Sequence, residues 1–272
     1  MMNTSPDILF LSHGGGPLPL LGDPDHQEMV ESLKGIANVI SKPSAILIIS
    51  AHWEASVPTI TSGAAPELNY DYAGFPPEAY RIQYPCQGEP ELAQQVSRAL
   101  ENAGIPAQQD AQRGFDHGVF VPLKIMYPEA DIPCVQLSLV NSLSAETHLA
   151  IGRALKSLER ENLLVIGSGF SFHNMREFFS PITQDSQAKN NAFEDWLVET
   201  SSSHHIDEVE RSRRLANWDS APHARFCHPR EEHLLPLHVC YGLAGRPSDE
   251  QLSATILNKA SGMFYWSRKS AK

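Results

Sequence analysis

The sequence predicts an α/β fold: a single domain over residues 1–272, with a central, mostly parallel or mixed sheet flanked by helices. Two observations carry that prediction. Short apolar runs at 8–11, 45–49 and 163–166 are bounded by Gly, Pro and polar residues, the pattern of strands buried on both faces. Stretches between them place apolar residues three and four apart, the period of a helix with one buried face. The 272 residues suffice for a full core, and α/β domains run past roughly 200 residues undivided.

In chain order, residues 7–12 read as the first strand. Residues 25–41 carry Met29, Val30, Leu33, Ile36, Ala37 and Ile40 at helical spacing and predict a helix. Strands are expected at 44–51 and 57–62. The Pro-, Gly- and Tyr-rich stretch 63–88 reads as a long ordered loop, and such loops inside compact domains are usually functional. A helix over 89–103 has Pro90 suited to its first turn and Gly104 past its end. A strand at 132–139 precedes a helix over 145–160 with Ser144 as N-cap. A strand at 163–167 follows. Helices are expected over 188–200, 205–216 and 231–243, with a last strand near 261–267.

Composition narrows the function classes. A formal net charge of -11 opposes nucleic-acid binding, which needs a basic face. No apolar run approaches the roughly 20 residues of a membrane span, and the first residues lack the basic region of a signal peptide. Cys86, Cys134, Cys227 and Cys240 show no CxxC spacing, so reduced thiols and a cytoplasmic location are expected.

Twelve histidines are many for this length, and several close predicted strands. His13 ends the first run and precedes Gly14-Gly15-Gly16, whose backbone is free to approach a ligand. His52 ends the second, and His173 follows Gly167-Ser168-Gly169 after the third. Ligand sites in such sheets form at the strand carboxyl ends, so these imidazoles can share one crevice and one transition metal. The alternative for His13 is an exposed ring in a tight turn, and for His52 a hydrogen-bonded, half-buried ring. His233, with Glu232 beside it, offers a third ligand, and spacing leaves open which of the two serves. Two His plus a carboxylate suit non-haem Fe(II), while three His suit zinc. His117, after a possible helix cap at Asp116, and His173 are candidates for acid/base work or for loop stabilisation. No P-loop, GxSxG or HExxH motif is present, and Cys227-His228 lacks partners for a soft-metal site. His204-His205 reads as solvated surface.

Six motifs in order complete the pattern. They are Ser12-His13-Gly14-Gly15-Gly16-Pro17, Ser50-Ala51-His52-Trp53-Glu54, 70–76, Asp116-His117-Gly118, 167–169 with His173-Asn174, and 232–236. From about Asp7 to the last strand the chain resembles the class III extradiol ring-cleavage dioxygenases, 4,5-DOPA dioxygenase branch. The catalytic β subunit of protocatechuate 4,5-dioxygenase is a more distant likeness. The resemblance implies a metal held by His13, His52 and His233, with His173 at or beside it. It implies Fe(II) for activity and Zn(II) in purified protein. It further implies His173 as acid/base, His117 lining the substrate and oxygen pocket, and a small aromatic diol and O₂ as substrates. The product would be a muconic semialdehyde, formed by a monomer or small homo-oligomer with no nucleic-acid or membrane partner. Two departures stand out. Distant relatives use a glutamate as third ligand, and 84–88 reads Tyr-Pro-Cys-Gln-Gly where close relatives tend to have Pro-Ala-Pro-Gly after the Tyr. A zinc-dependent hydrolase and a non-catalytic Memo-like metal-binding scaffold are the competing readings.

Overall fold

The computed structural model describes residues 5–268, so both ends of the expected 1–272 domain lie outside the described residues. In chain order the first half contains β1 (Asp7–Ser12), α1 (Gln27–Val39), β2 (Ala45–Ala55), β3 (Thr59–Thr61), α2 (Pro90–Asn102), β4 (Gln108–Asp110) and α3 (His117–Met126). The second half adds β5 (Cys134–Val140), α4 (Ala145–Ala154), β6 (Leu163–Gly169), α5 (Met175–Phe178), α6 (Gln184–Ser202), α7 (Glu208–Ala216), α8 (Ala224–Cys227), α9 (Leu235–Ala244), β7 (Glu250–Ile256) and β8 (Lys259–Trp266).

The strands form one eight-stranded sheet in the order β4-β3-β5-β2-β6-β1-β8-β7. Its centre, β5-β2-β6-β1, is parallel, and every residue of β1, β5 and β6 is buried, which is why these runs read as continuously apolar. β3 and the β7–β8 hairpin add antiparallel neighbours, so the sheet is mixed. Helices cover both faces. In β6, Gly167 packs under α9 against Pro236 and Cys240, while Ser168 on the opposite face donates to Gly118 O of α3.

Several boundaries differ from the sequence reading. The helix expected over 145–160 stops at Ala154, and the chain tightens into a 3-10 turn at Leu155–Ser157 that buries Leu155. The helix expected from 231 begins only at Leu235, so Glu231 and Glu232 lie in the preceding turn rather than in a first helical turn. α6 begins at Gln184, four residues early, because Thr183 and Ser186 form a reciprocal cap. Asp116 occupies the N-cap position of α3, but its side chain caps nothing. β4 and β7 were not foreseen, since Gln108–Asp110 and the largely exposed Glu250–Ile256 are edge segments with polar side chains.

Candidate active site

The carboxyl edge of β1, β2 and β6 gathers the histidines. His13 directly follows β1, its N–H donating to Gly169 O at 3.0 Å. His52 lies inside β2, where the pairing with β5 advances from Ile49 to Glu54 while β5 advances only from Leu137 to Leu139. That bulge frees His52 from the ladder. His233 sits in the turn before α9, and its carbonyl accepts the Phe170 N–H at 2.9 Å. It passes so close to β6 that a Cβ on Gly169 would fall on His233 O. His117 opens α3, and the N–H of His173 donates to Cys227 O at 3.0 Å.

Three imidazole nitrogens converge. His52 Nε2 lies 3.1 Å from His13 Nε2 and 3.3 Å from His233 Nε2. Two of the three ring protons can be placed. Ser168 Oγ gives its hydrogen to Gly118 O, so it accepts from His13 Nδ1 at 3.0 Å. His233 Nδ1 donates to Glu232 Oε1 at 2.9 Å. Nε2 of His13 and Nε2 of His233 therefore turn lone pairs toward His52 Nε2. Burial holds His13 and His52 well below the usual imidazole range, and the neighbouring rings add to it. Burial, then repulsion from His173, brings His233 down to about 3. Neutral imidazole nitrogens gathered this closely can share a cation. Nitrogens about 2.1 Å from one ion stand about 3.0–3.4 Å apart at bond angles between octahedral and tetrahedral, which the observed spacings match. This donor set fits a single transition-metal ion.

His173 groups differently. Its ring stacks on His233 with centroids 3.4 Å apart, and its Nδ1 lies 3.4 Å from Glu232 Oε1. The cluster of donor atoms it shares is with Glu232 and His233, not with His13 and His52. Glu232 stands behind the imidazoles. Burial alone would raise its pKa, but hydrogen bonds from His173 and His233 hold it far below the usual carboxylate range. Its second oxygen is 3.3 Å from Arg230, whose guanidinium also forks onto Glu54.

Asp71 is the residue that the sequence reading missed. Its Oδ1 accepts from His117 Nδ1 at 2.8 Å and from the His117 backbone N–H at 3.0 Å, and its Oδ2 is 3.6 Å from His52 Nδ1. Burial would raise Asp71, yet the bond from His117 leaves it below the ordinary value. The one available signal was its position in the Tyr70-Asp71-Tyr72 motif of the long loop. Under His52, buried Asp116 accepts from Ser50 Oγ at 2.7 Å and from Gln136 Nε2, and burial pushes its pKa up.

Above the cluster lies a cavity of about 220 Å³. His13, His52, His117, His173 and His233 line it, together with Gly14, Gly15, Gly16, Tyr72, Phe170 and further apolar side chains. Arg81, Arg176 and Arg225 are absent from its lining, and Arg225 is paired with Glu231 at 2.7 Å. Other histidines are structural. His26 Nε2 accepts from Gly15 N–H at 2.9 Å, holding the glycine turn. His228 Nε2 donates to Ser171 O at 2.7 Å and Cys227 Sγ points to Lys189 O, and neither residue belongs to a cluster of metal-donor atoms among the described residues. His204 and His205 are exposed, as expected.

The chain matches the family model described as the catalytic LigB subunit of aromatic ring-opening dioxygenase over residues 7–267. It is 40% identical to dioxygenase tasH of Hapsidospora irregularis over 279 residues, spanning 95% of this chain and 85% of that protein. It is 37% identical to 4,5-DOPA dioxygenase extradiol of Beta vulgaris over 251 residues, 90% of each chain. The crystal structure of an uncharacterized protein of Escherichia coli K12 covers 97% of this chain and 100% of its own, with a TM-score of 0.71 and 29% identity. Fold, histidine cluster and relatives agree on an extradiol aromatic ring-opening dioxygenase, and the chain belongs to the catalytic LigB subunit family.

Proposed function

We propose that this enzyme holds Fe(II) through His13, His52 and His233 and cleaves the ring of a catechol beside its diol, with O₂, to a muconic semialdehyde. The observation that supports it most is the meeting of three Nε2 atoms of neutral imidazoles, with His52 Nε2 3.1 and 3.3 Å from the other two, on the floor of a largely apolar cavity. Bound Fe(II) supplies Lewis acidity and a one-electron couple that lets triplet oxygen react with a singlet diol. The surrounding residues do the rest. Glu232 keeps the His173 ring in place from its Nδ1 side, leaving Nε2 to take a hydroxyl proton from the diol and return it later. Asp71 fixes the His117 tautomer in the same way, so that Nε2 of His117 faces the bound ring or oxygen. Phe170 and Tyr72 line the cavity and limit water.

No described helix is long and apolar enough to cross a membrane. We take the enzyme to be cytoplasmic, a monomer or small homo-oligomer without nucleic-acid or membrane partners, and to carry Zn(II) when purified without iron. The test is oxygen uptake after anaerobic Fe(II) loading, with catechol, DOPA, protocatechuate and caffeate. Uptake with a new yellow absorbance, absent with Zn(II), is the expected result. Ester or amide hydrolysis by the Zn(II) form without O₂ would replace this reading with a hydrolase.

A further inference from the structure

The cavity has a wall that the ring chemistry does not require. Beyond its imidazoles, its lining contains no Lys, Arg, Asp or Glu among the described residues. The Tyr72 hydroxyl is already spent on Ala79 O at 2.7 Å, so Tyr72 offers its ring, with Phe75 set edge-on at 5.4 Å. At the mouth Phe179 is 80% exposed and Met175 is 55% exposed, although both line the cavity. Large apolar side chains grouped in the open at a pocket mouth point to something that covers them. Two nearby cations are engaged elsewhere. Lys259 is buried beside Glu177 at 3.8 Å and the Phe172 ring, and Arg230 is held by Glu54. Arg176 stands exposed on α5, outside the lining.

We infer that the substrate is a catechol with an uncharged apolar substituent, alkyl or aryl. Its diol faces the histidine cluster and its tail leaves over Phe75, Met175 and Phe179. The diol end rests on the ring-cleavage reading; the tail rests on the cavity wall alone. A carboxylate or ammonium pressed against the apolar wall would lose water with no Lys, Arg, Asp or Glu of the described lining to pair with it, which is costly. Each methylene buried against the wall is worth up to about fourfold in affinity.

The test measures binding and turnover separately on the full chain. Catechol, 4-methyl-, 4-propyl- and 4-hexylcatechol are compared with protocatechuate and DOPA. Binding is read by calorimetry on the Zn(II)-loaded protein and turnover on the Fe(II)-loaded protein. Affinity is expected to climb with tail length, and 4-hexylcatechol to bind on the order of 100-fold more tightly than protocatechuate. Phe179→Ala and Met175→Ala should each cut the hexylcatechol-to-catechol affinity ratio about tenfold. Both side chains are solvent-exposed, and circular dichroism checks that the variants stay folded. Protocatechuate or DOPA binding as tightly as the alkylcatechols would overturn the inference, as would a ratio that neither variant moves. Loss of an oligomer in Phe179→Ala with the ratio intact would instead make the patch an interface between copies. Absence of oxygen uptake with every catechol would sink the ring-cleavage reading, while the binding series still decides the tail.

Discussion

His173 lies face to face with His233, ring centroids 3.4 Å apart and planes 15° from parallel, yet only His233 turns a nitrogen toward His13 and His52. Two adjacent imidazoles thus have different jobs available to them. His173→Ala is expected to retain metal stoichiometry and to lose about 10²–10⁴-fold in kcat, the usual contribution of a positioned acid/base. Metal analysis beside oxygen uptake checks this. A variant that no longer binds metal would move His173 into the ligand set.

The same carboxylate oxygen serves both rings, since Glu232 Oε1 is 2.9 Å from His233 Nδ1 and 3.4 Å from His173 Nδ1. Glu232→Gln removes the charge that orients them. Metal affinity should fall about 10–100-fold, as for other groups that hold a ligating imidazole from behind. A chelator competition titration reads it; unchanged affinity would mean that packing alone sets the His233 ring.

Asp71→Asn tests the second carboxylate. It weakens the bond that protonates His117 at Nδ1, so kcat should drop about tenfold or more with metal content unchanged. Asp71→Glu should recover part of the loss if positioning is the role. Equal failure of both variants, with melting temperature lowered in each, would reduce Asp71 to a loop anchor.

Gly169 makes the His233 turn possible, because any Cβ there falls on His233 O and touches Pro236. Gly169→Ala should destabilise by about 1–3 kcal/mol through overpacking and weaken metal binding together. Denaturant unfolding of the metal-free and Zn(II)-loaded protein separates the two effects. Wild-type behaviour in both would refute the close approach.

Acid sensitivity follows from buried histidines outside the His13-His52-His233 cluster. Burial brings His148 down to about 4 and His228 to about 3, from an ordinary value of 6.5. Above pH 6.5 both folded and unfolded chains keep these rings neutral, so the shift costs nothing. Below it the unfolded chain takes protons that the fold excludes. Stability then falls with pH by about 1.4 kcal/mol per unit for each ring, down to about pH 4 for His148 and about pH 3 for His228. Chelator-treated protein should show a melting temperature that declines steadily from pH 6.5 to 4. A level melting curve midpoint across that range would contradict it.

The sequence by itself determined the central sheet and the histidines at its edge. Strands buried on both faces have no polar alternation, so 7–12, 45–49 and 163–167 announce themselves, and a site at strand carboxyl ends follows from parallel topology. The edge segments β4 and β7 escaped, because polar, exposed residues there carry no burial pattern. Which carboxylate stands behind which ring was also hidden. Asp71 and His117 are 46 residues apart and meet only because the long loop folds back over the start of α3. The choice between Glu232 and His233 at the cluster belongs to tertiary structure too. Adjacent residues in a turn point in different directions, and only the close pass over Gly169 sends the His233 imidazole inward and leaves Glu232 behind it.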